Sequence, residues 1–240
     1  MTYSRHDGTG DVAQNVATTG DPGSYPSCVL GVFLCGRIDP TEEIKDHEYA
    51  MMYDDEECCD NGHRDNILDK YHTHVSIGIE YDAYFLVLVQ NFENQYITWT
   101  DRINEDNPSD DTITMAGYFG KNRDGSASNN IKLEDLAIYF DEIPTRETYE
   151  DNVDAESYGS GELVGIVVEP LRPGWFYDQP ENYTLFEAGD WEVLDKDFEI
   201  EFSLQELIAK HGDGVYTVTV WCKDENDDDF VASSISLFIR

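Results

Sequence analysis

The chain has 240 residues, 40% of them apolar and 12% aromatic, with 51 Asp and Glu against 15 Lys and Arg, a net charge of −36. That composition builds a globular core without needing a disulfide scaffold. The charge argues against DNA, RNA and anionic membranes, which must be met by cations, and apolar runs such as Tyr84 to Val89 are too short to span a bilayer.

In chain order, residues 1–38 are rich in Gly, Ser, Thr and Asp and read as loops around one short helix near Asp11–Ala17. A clear helix follows. Asp39 caps it, Pro40 suits its first position and Glu42 stands three residues after the cap. Ile44, Glu48 and Met51 then share one face. A second short helix starts near Asn61–Gly62 and includes His63, Asn66 and Ile67. The period then changes to two: Val75, Ile77, Ile79 and Tyr81 alternate with polar residues, which predicts a half-buried strand. A turn at Asp82–Ala83 leads into an apolar partner strand, Tyr84–Phe92, completing a hairpin. The polar stretch 101–111 reads as a linker between a unit at 1–100 and a second at 112–240.

Beyond the linker the pattern is mostly strand, at Thr112–Phe119, Leu133–Phe140, Glu162–Glu169, Asp197–Phe202, Val215–Cys222 and Phe230–Ile239. Ser203 to Glu206 forms a capping box for one helical turn, with Gly212 as its stop. Short strands at this spacing argue an antiparallel β-sandwich of immunoglobulin-like type, so the fold class is α+β.

Acids outnumber bases 18 to 5 in residues 1–100 and 33 to 10 in 101–240. An even spread marks a surface property rather than an acidic tail. It fits either adaptation to high salt or export into a medium rich in divalent cations. Four of the five cysteines, Cys28, Cys35, Cys58 and Cys59, lie within 32 residues. That clustering favours disulfides in an oxidising compartment, with cross-links from the Cys28/Cys35 loop to Cys58/Cys59 preferred. Cys222, within an alternating strand, reads as a small buried hydrophobe. Met1 to Gly8 lacks a charged start followed by an apolar run, so no signal peptide is visible; the cysteines favour a chain whose true N-terminus lies upstream.

The stretch from Met51 to Phe92 holds Gly62-His63-Arg64-Asp65-Asn66-Ile67-Leu68, then Val75-Ser-Ile-Gly-Ile-Glu-Tyr81, then Leu88-Val-Gln-Asn-Phe92. This run resembles the C-terminal half of the CAP superfamily (SCP) domain, which groups cysteine-rich secretory, antigen-type and pathogenesis-related proteins. The double cysteine before it looks like archaeal secreted or surface members. Ala13-Gln-Asn-Val-Ala17 is similar to the family's Glu-Asn-Ile/Val-Ala segment. The resemblance implies an α-β-α sandwich, here lacking its first helix, with a cleft lined by two His and two acids. His63 matches the second His, Glu48 supplies one acid, and Gln14 stands where the family has Glu. His6 is the candidate for the first His; Asn66 is a further candidate for the cleft, with capping or bonding to backbone as its expected alternative.

Other constellations are open from the residues themselves. His63, His72 and His74 could form a three-His zinc set, and Cys59 with His63 a thiol–imidazole pair. The acidic runs Asp54–Glu57 and Asp224–Asp229 are candidates for calcium, although neither fits an EF-hand loop and the second suits a hairpin tip. Trp175, Phe176, Tyr177 and Tyr183 are expected to pack into core and loops, with a sugar- or peptide-stacking platform as the rival. Asn182-Tyr-Thr184 is a glycosylation acceptor in an exported chain. Together these readings predict a secreted or cell-surface protein that binds an extracellular protein, glycan or envelope component, with self-association a further expectation. The rivals are a metal-dependent or cysteine-type hydrolase working through His63 and Glu48, and a subunit of an extracellular assembly.

Overall fold

A computed structural model describes residues 10–20, 37–101, 112–120, 131–145 and 161–240, the side chains of 10–12 and Cys58 excepted. The fold is mixed α+β and mostly antiparallel. The chain divides into two compact units, one at Ala13–Glu93 and the other built on Asn94–Arg240. That boundary falls before the expected one near residue 100, because Ile97–Asp101 pairs forward with the strand at Ile113–Phe119. The expected linker at 101–111 lies outside the described residues apart from Asp101.

The 13–93 unit is a three-stranded sheet, order β1-β3-β2, with helices against it. Here β1 is Gly10–Thr19, β2 His74–Tyr81 and β3 Leu86–Asn94. Helix α1 spans Pro40–Tyr53, α2 Glu56–Cys59 and α3 Gly62–Leu68. Asp39 Oδ1 accepts from Thr41 N–H, so the α1 cap is the one its sequence predicts. Met51 of α1 is buried with Leu86 and Leu88 of β3, and Ala17, Ile38, Ile44 and Ile67 pack against them.

Two expectations change in this unit. Residues 11–17 are strand, not helix. Side chains alternate from Ala13 onward, with Asn15 buried between exposed Gln14 and Val16. The inward position at the centre carries an amide, so an apolar period of two was hidden. The β2 strand is exposed along its whole length rather than half-buried. Its apolar residues share a face with Leu86, Leu88, Gln90 and Phe92 through the register Tyr81↔Leu86 to Val75↔Phe92. The buried face at β3 gives way to exposure at β2, the terminal strand of the sheet. At the end of β1, Gly20 has φ +78, and a Cβ there would lie 2.2 Å from the Tyr84 carbonyl oxygen, so only glycine fits.

The second unit holds two sheets. One has the order β4-β5-β10-β9, from Ile97–Asp101, Ile113–Phe119, Asp197–Phe202 and Asp190–Leu194. The other has the order β12-β11-β6-β7-β8, from Asp229–Ile239, Gly214–Lys223, Lys132–Asp141, Glu162–Val168 and Thr184–Glu187. All pairings are antiparallel except β7 with β8. The predicted strands recur within one or two residues, whereas β4, β8 and β9 were not anticipated. Helix α4, Gln205–His211, begins one residue later than the predicted capping box: its N-cap is Leu204, which makes no side-chain cap bond, while Ser203 Oγ accepts from Gln205 N–H. The predicted stop holds, with Gly212 ending the helix at φ +81. In β11, Val215, Val218, Val220 and Cys222 are all buried, and Thr217 bonds Ser236 across the pair at 3.0 Å. The acidic run after β11 is the hairpin tip its sequence suggests: Asp224 Oδ1 accepts from the N–H groups of Asn226 and Asp228.

Candidate functional site

The 13–93 unit gathers several of the sequence-derived candidates where α1 and α3 meet the sheet. Asp55, just before α2, has a side chain only 1% exposed. Its Oδ1 lies 2.6 Å from His63 Nδ1, and its Oδ2 accepts from Arg64 N–H at 3.1 Å. The carboxylate therefore caps the start of α3 from outside that helix, where the N-terminal N–H groups favour negative charge. The chain reaches this position through Asp60 and Asn61, both left-handed, at φ 49 and φ 65. Asp and Asn tolerate that conformation better than other non-glycine residues. Burial pushes the Asp55 carboxyl up, but the hydrogen bonds from His63 and Arg64 outweigh it and hold it below the ordinary value. With Nδ1 committed to Asp55, His63 has Nε2 to offer outward, and its side chain is 23% exposed.

Beside it runs a chain of amides. Asn15 Nδ2 donates to the His63 carbonyl at 3.0 Å and to Gln90 Oε1 at 3.1 Å. Asn66 Nδ2 donates to Asn15 Oδ1 at 2.8 Å. Gln90 Nε2 donates to Glu48 Oε1 at 2.7 Å. Three predicted residues, His63, Glu48 and Asn66, are thus linked through Asn15 and Gln90, two buried amides that sequence reasoning did not single out. Asn15 spends both donors and its acceptor inside the protein, so this chain fastens α1 and α3 to the sheet.

A second polar knot lies at the end of β1. Thr19 Oγ1 donates to Glu43 Oε2 at 2.8 Å, and its oxygen lies 2.8 Å from His47 Nε2. Its sequence signal was the i, i+4 spacing of Glu43 and His47 on α1.

Gln14 is elsewhere: its amide donates to Asn91 Oδ1 at 2.6 Å, in an exposed position. His6, Cys28 and Cys35 lie outside the described residues, as does the side chain of Cys58. Cys59 is disulfide-bonded, and its partner is not among the described side chains. The three histidines are not gathered. His72 is buried and stacks on Phe92 at 5.1 Å, whereas His74 is exposed beside Thr73. Among the described residues the group of metal-ligand atoms that does come together, all within 4.8 Å, is Asp55, Cys59 and His63. Sulfur within a disulfide is a poor ligand, because the thiolate is the binding form.

In the second unit the aromatic expectation is corrected for Trp175 and Phe176, while Tyr177 and Tyr183 are half-buried as expected. Trp175 is 71% exposed and Phe176 88% exposed. Because β7 and β8 pair in parallel, the connection 169–183 must return from one end of the sheet to the other. Within it, Arg172-Pro-Gly-Trp175 is a tight turn: Trp175 N–H bonds the Arg172 carbonyl, and Gly174 has φ +92. Proline then glycine at the centre suits a type II turn. Tyr177 instead anchors the connection, its hydroxyl bonding the Glu169 carbonyl at 2.8 Å. Asn182 is exposed in the bend that precedes β8.

Comparison with protein families, curated proteins and solved structures finds no match to this chain. No described helix is long and apolar enough to cross a membrane.

Proposed function

We propose that this chain is a secreted or cell-surface protein that acts by binding, in adhesion or assembly, with a CAP-type unit and an immunoglobulin-like unit. The observation that carries the reading is the pair Trp175 and Phe176 at the exit of the Arg172–Trp175 turn, two large aromatic side chains in solvent at 71% and 88% exposure. Exposed aromatics on a defined turn mark an interaction surface. Flanking Asp178 and Glu181 bring hydrogen-bond acceptors to the same segment. Aromatic faces beside carboxylates fit the apolar face and hydroxyls of a sugar, so an envelope glycan or glycosylated protein is the partner of choice. The half-cystine at Cys59 supports an oxidising compartment. The CAP reading is supported by the joining of His63, Glu48 and Asn66 around Asn15. In it the neutral Gln14 stands where the family places a carboxylate, which favours recognition over metal-driven turnover.

The test is binding of the full chain to a glycan array and to isolated cell envelopes, beside Trp175→Ala/Phe176→Ala. Loss of two aromatic contacts is expected to weaken binding by at least about tenfold, or about 1.4 kcal/mol. Binding that the double variant leaves unchanged contradicts the reading.

A second reading rests on the Asp55, Cys59 and His63 group: metal-assisted hydrolysis of an extracellular peptide or envelope polymer. It needs Cys59 as a thiolate, and the disulfide opposes it.

A further inference from the structure

We propose that a second copy of this chain docks on strand β2, edge to edge and antiparallel, about a two-fold axis at Ile77. Among the described residues β2 is the terminal strand of its sheet, bonded to β3 alone. Every residue of His74–Tyr81 is exposed, including Val75 at 48%, Ile77 at 58%, Ile79 at 46% and Tyr81 at 59%. Proteins usually blunt such an edge with Lys, Pro or a bulge. The strand HVSIGIEY has no Lys and no Pro, and it pairs with β3 without a register shift.

The strand is complementary to itself. Side chains directly opposite across an antiparallel pair share a face. With Ile77 on the axis, Ile77 meets Ile77 and Val75 meets Ile79, so apolar meets apolar on one face. On the other face Ser76 meets Gly78 and His74 meets Glu80, an imidazole opposite a carboxylate. A shift of one residue sets every apolar side chain against a polar one. A shift of two brings His74 to Asp82, whose carboxylate already accepts from Tyr84 N–H in the turn. The Ile77 register is the one that matches apolar residues and pairs His74 with an acid on the strand.

The charge of −36 on each copy opposes this contact. Salt removes that opposition, since the screening length falls from about 10 Å at 0.1 M to about 3 Å at 1 M. Dimerisation is therefore expected to rise with salt, the reverse of an assembly held by ion pairs. This does not depend on which ligand the aromatic turn takes.

The test is sedimentation velocity of the full chain in sodium chloride from about 0.1 M to about 2 M. The expected result is monomer at low salt and dimer at high salt. Ile77→Lys, which sets two ammonium groups opposite each other, should abolish the dimer while the circular dichroism spectrum stays unchanged. His74→Glu should weaken it at least about fivefold, and the reversal His74→Glu/Glu80→Lys should restore it to within about twofold. A chain that is monomeric at every salt concentration, a dimer that survives Ile77→Lys, or a reversal that fails to restore it overturns the proposal.

Discussion

His63 Nδ1 stands 2.6 Å from Asp55 Oδ1, and the same carboxylate receives the N–H of Arg64 at the start of α3. One buried acid therefore sets the tautomer of the histidine and fixes the helix that carries it. Asp55→Asn should lower the stability of the 13–93 unit by about 2 kcal/mol at pH 7, the scale of a charge-assisted hydrogen bond. Its pKa in the folded protein lies below the ordinary 3.8. The contribution is thus complete above that value and is lost as pH falls through the lower, folded value. Urea unfolding of wild type and variant from pH 7 to pH 2 should show the difference shrink only in that acid window.

Asn15 is the keystone of the amide chain. Asn15→Ala strands the Asn66 and Gln90 side-chain amides and the His63 carbonyl together, and should cost about 3 kcal/mol. Asn15→Asp replaces two donors by acceptors that face the His63 carbonyl and Gln90 Oε1. It should be as damaging at pH 7 and partly recover in acid, where the new carboxyl is protonated. Equal stability of wild type and Asn15→Ala in urea unfolding contradicts the role given to this residue.

Much of the fold was legible because its signals were local. The α1 cap at Asp39–Pro40, the β2–β3 hairpin and most strands of the second unit stand where residue type and period place them. What was not legible depended on tertiary partners. Strand β1 was hidden because its buried central residue is Asn15, an amide whose partners are 48 to 75 residues away. The exposure of β2 follows from the sheet order, which alternation cannot reveal. Trp175 and Phe176 read as core and loop packing by type, but they stand exposed in the connection between the parallel strands β7 and β8. At the candidate site, His63, Glu48 and Asn66 were legible, while Gln90, which sits on a strand of apolar character, and Asn15, which links them all, were not.

Asp135 on β6 offers a prediction of the opposite sign. Burial, with Glu134 and Asp229 nearby, pushes its carboxyl up to about 6, against the pull of Lys223. A carboxyl raised in the folded state stabilises below the unfolded value of 3.8, and that contribution is lost as pH rises through about 6. Asp135→Asn should therefore raise the melting temperature at pH 7.5, by a free energy on the order of 2 kcal/mol, and change it little at pH 4. A variant less stable than wild type at pH 7.5 contradicts this.

Cys222 is a free thiol, fully buried, and burial next to Asp135 pushes its pKa well above the ordinary thiol value. It should resist a soluble thiol reagent in the native protein and react on unfolding. Rapid labelling of Cys222 under native conditions, read by peptide mass, goes against the packing described for β11.

The central claim, a binding protein of an oxidising compartment rather than a metal-dependent enzyme, is tested most directly by intact mass with and without reductant, joined to elemental analysis of unstripped protein. The account predicts a gain of about 2 Da for each disulfide opened, one of them at Cys59, and no stoichiometric transition metal. A mass unchanged by reductant, with about one zinc per chain that is lost in His63→Ala, would contradict it and assign Asp55, Cys59 and His63 to a metal centre.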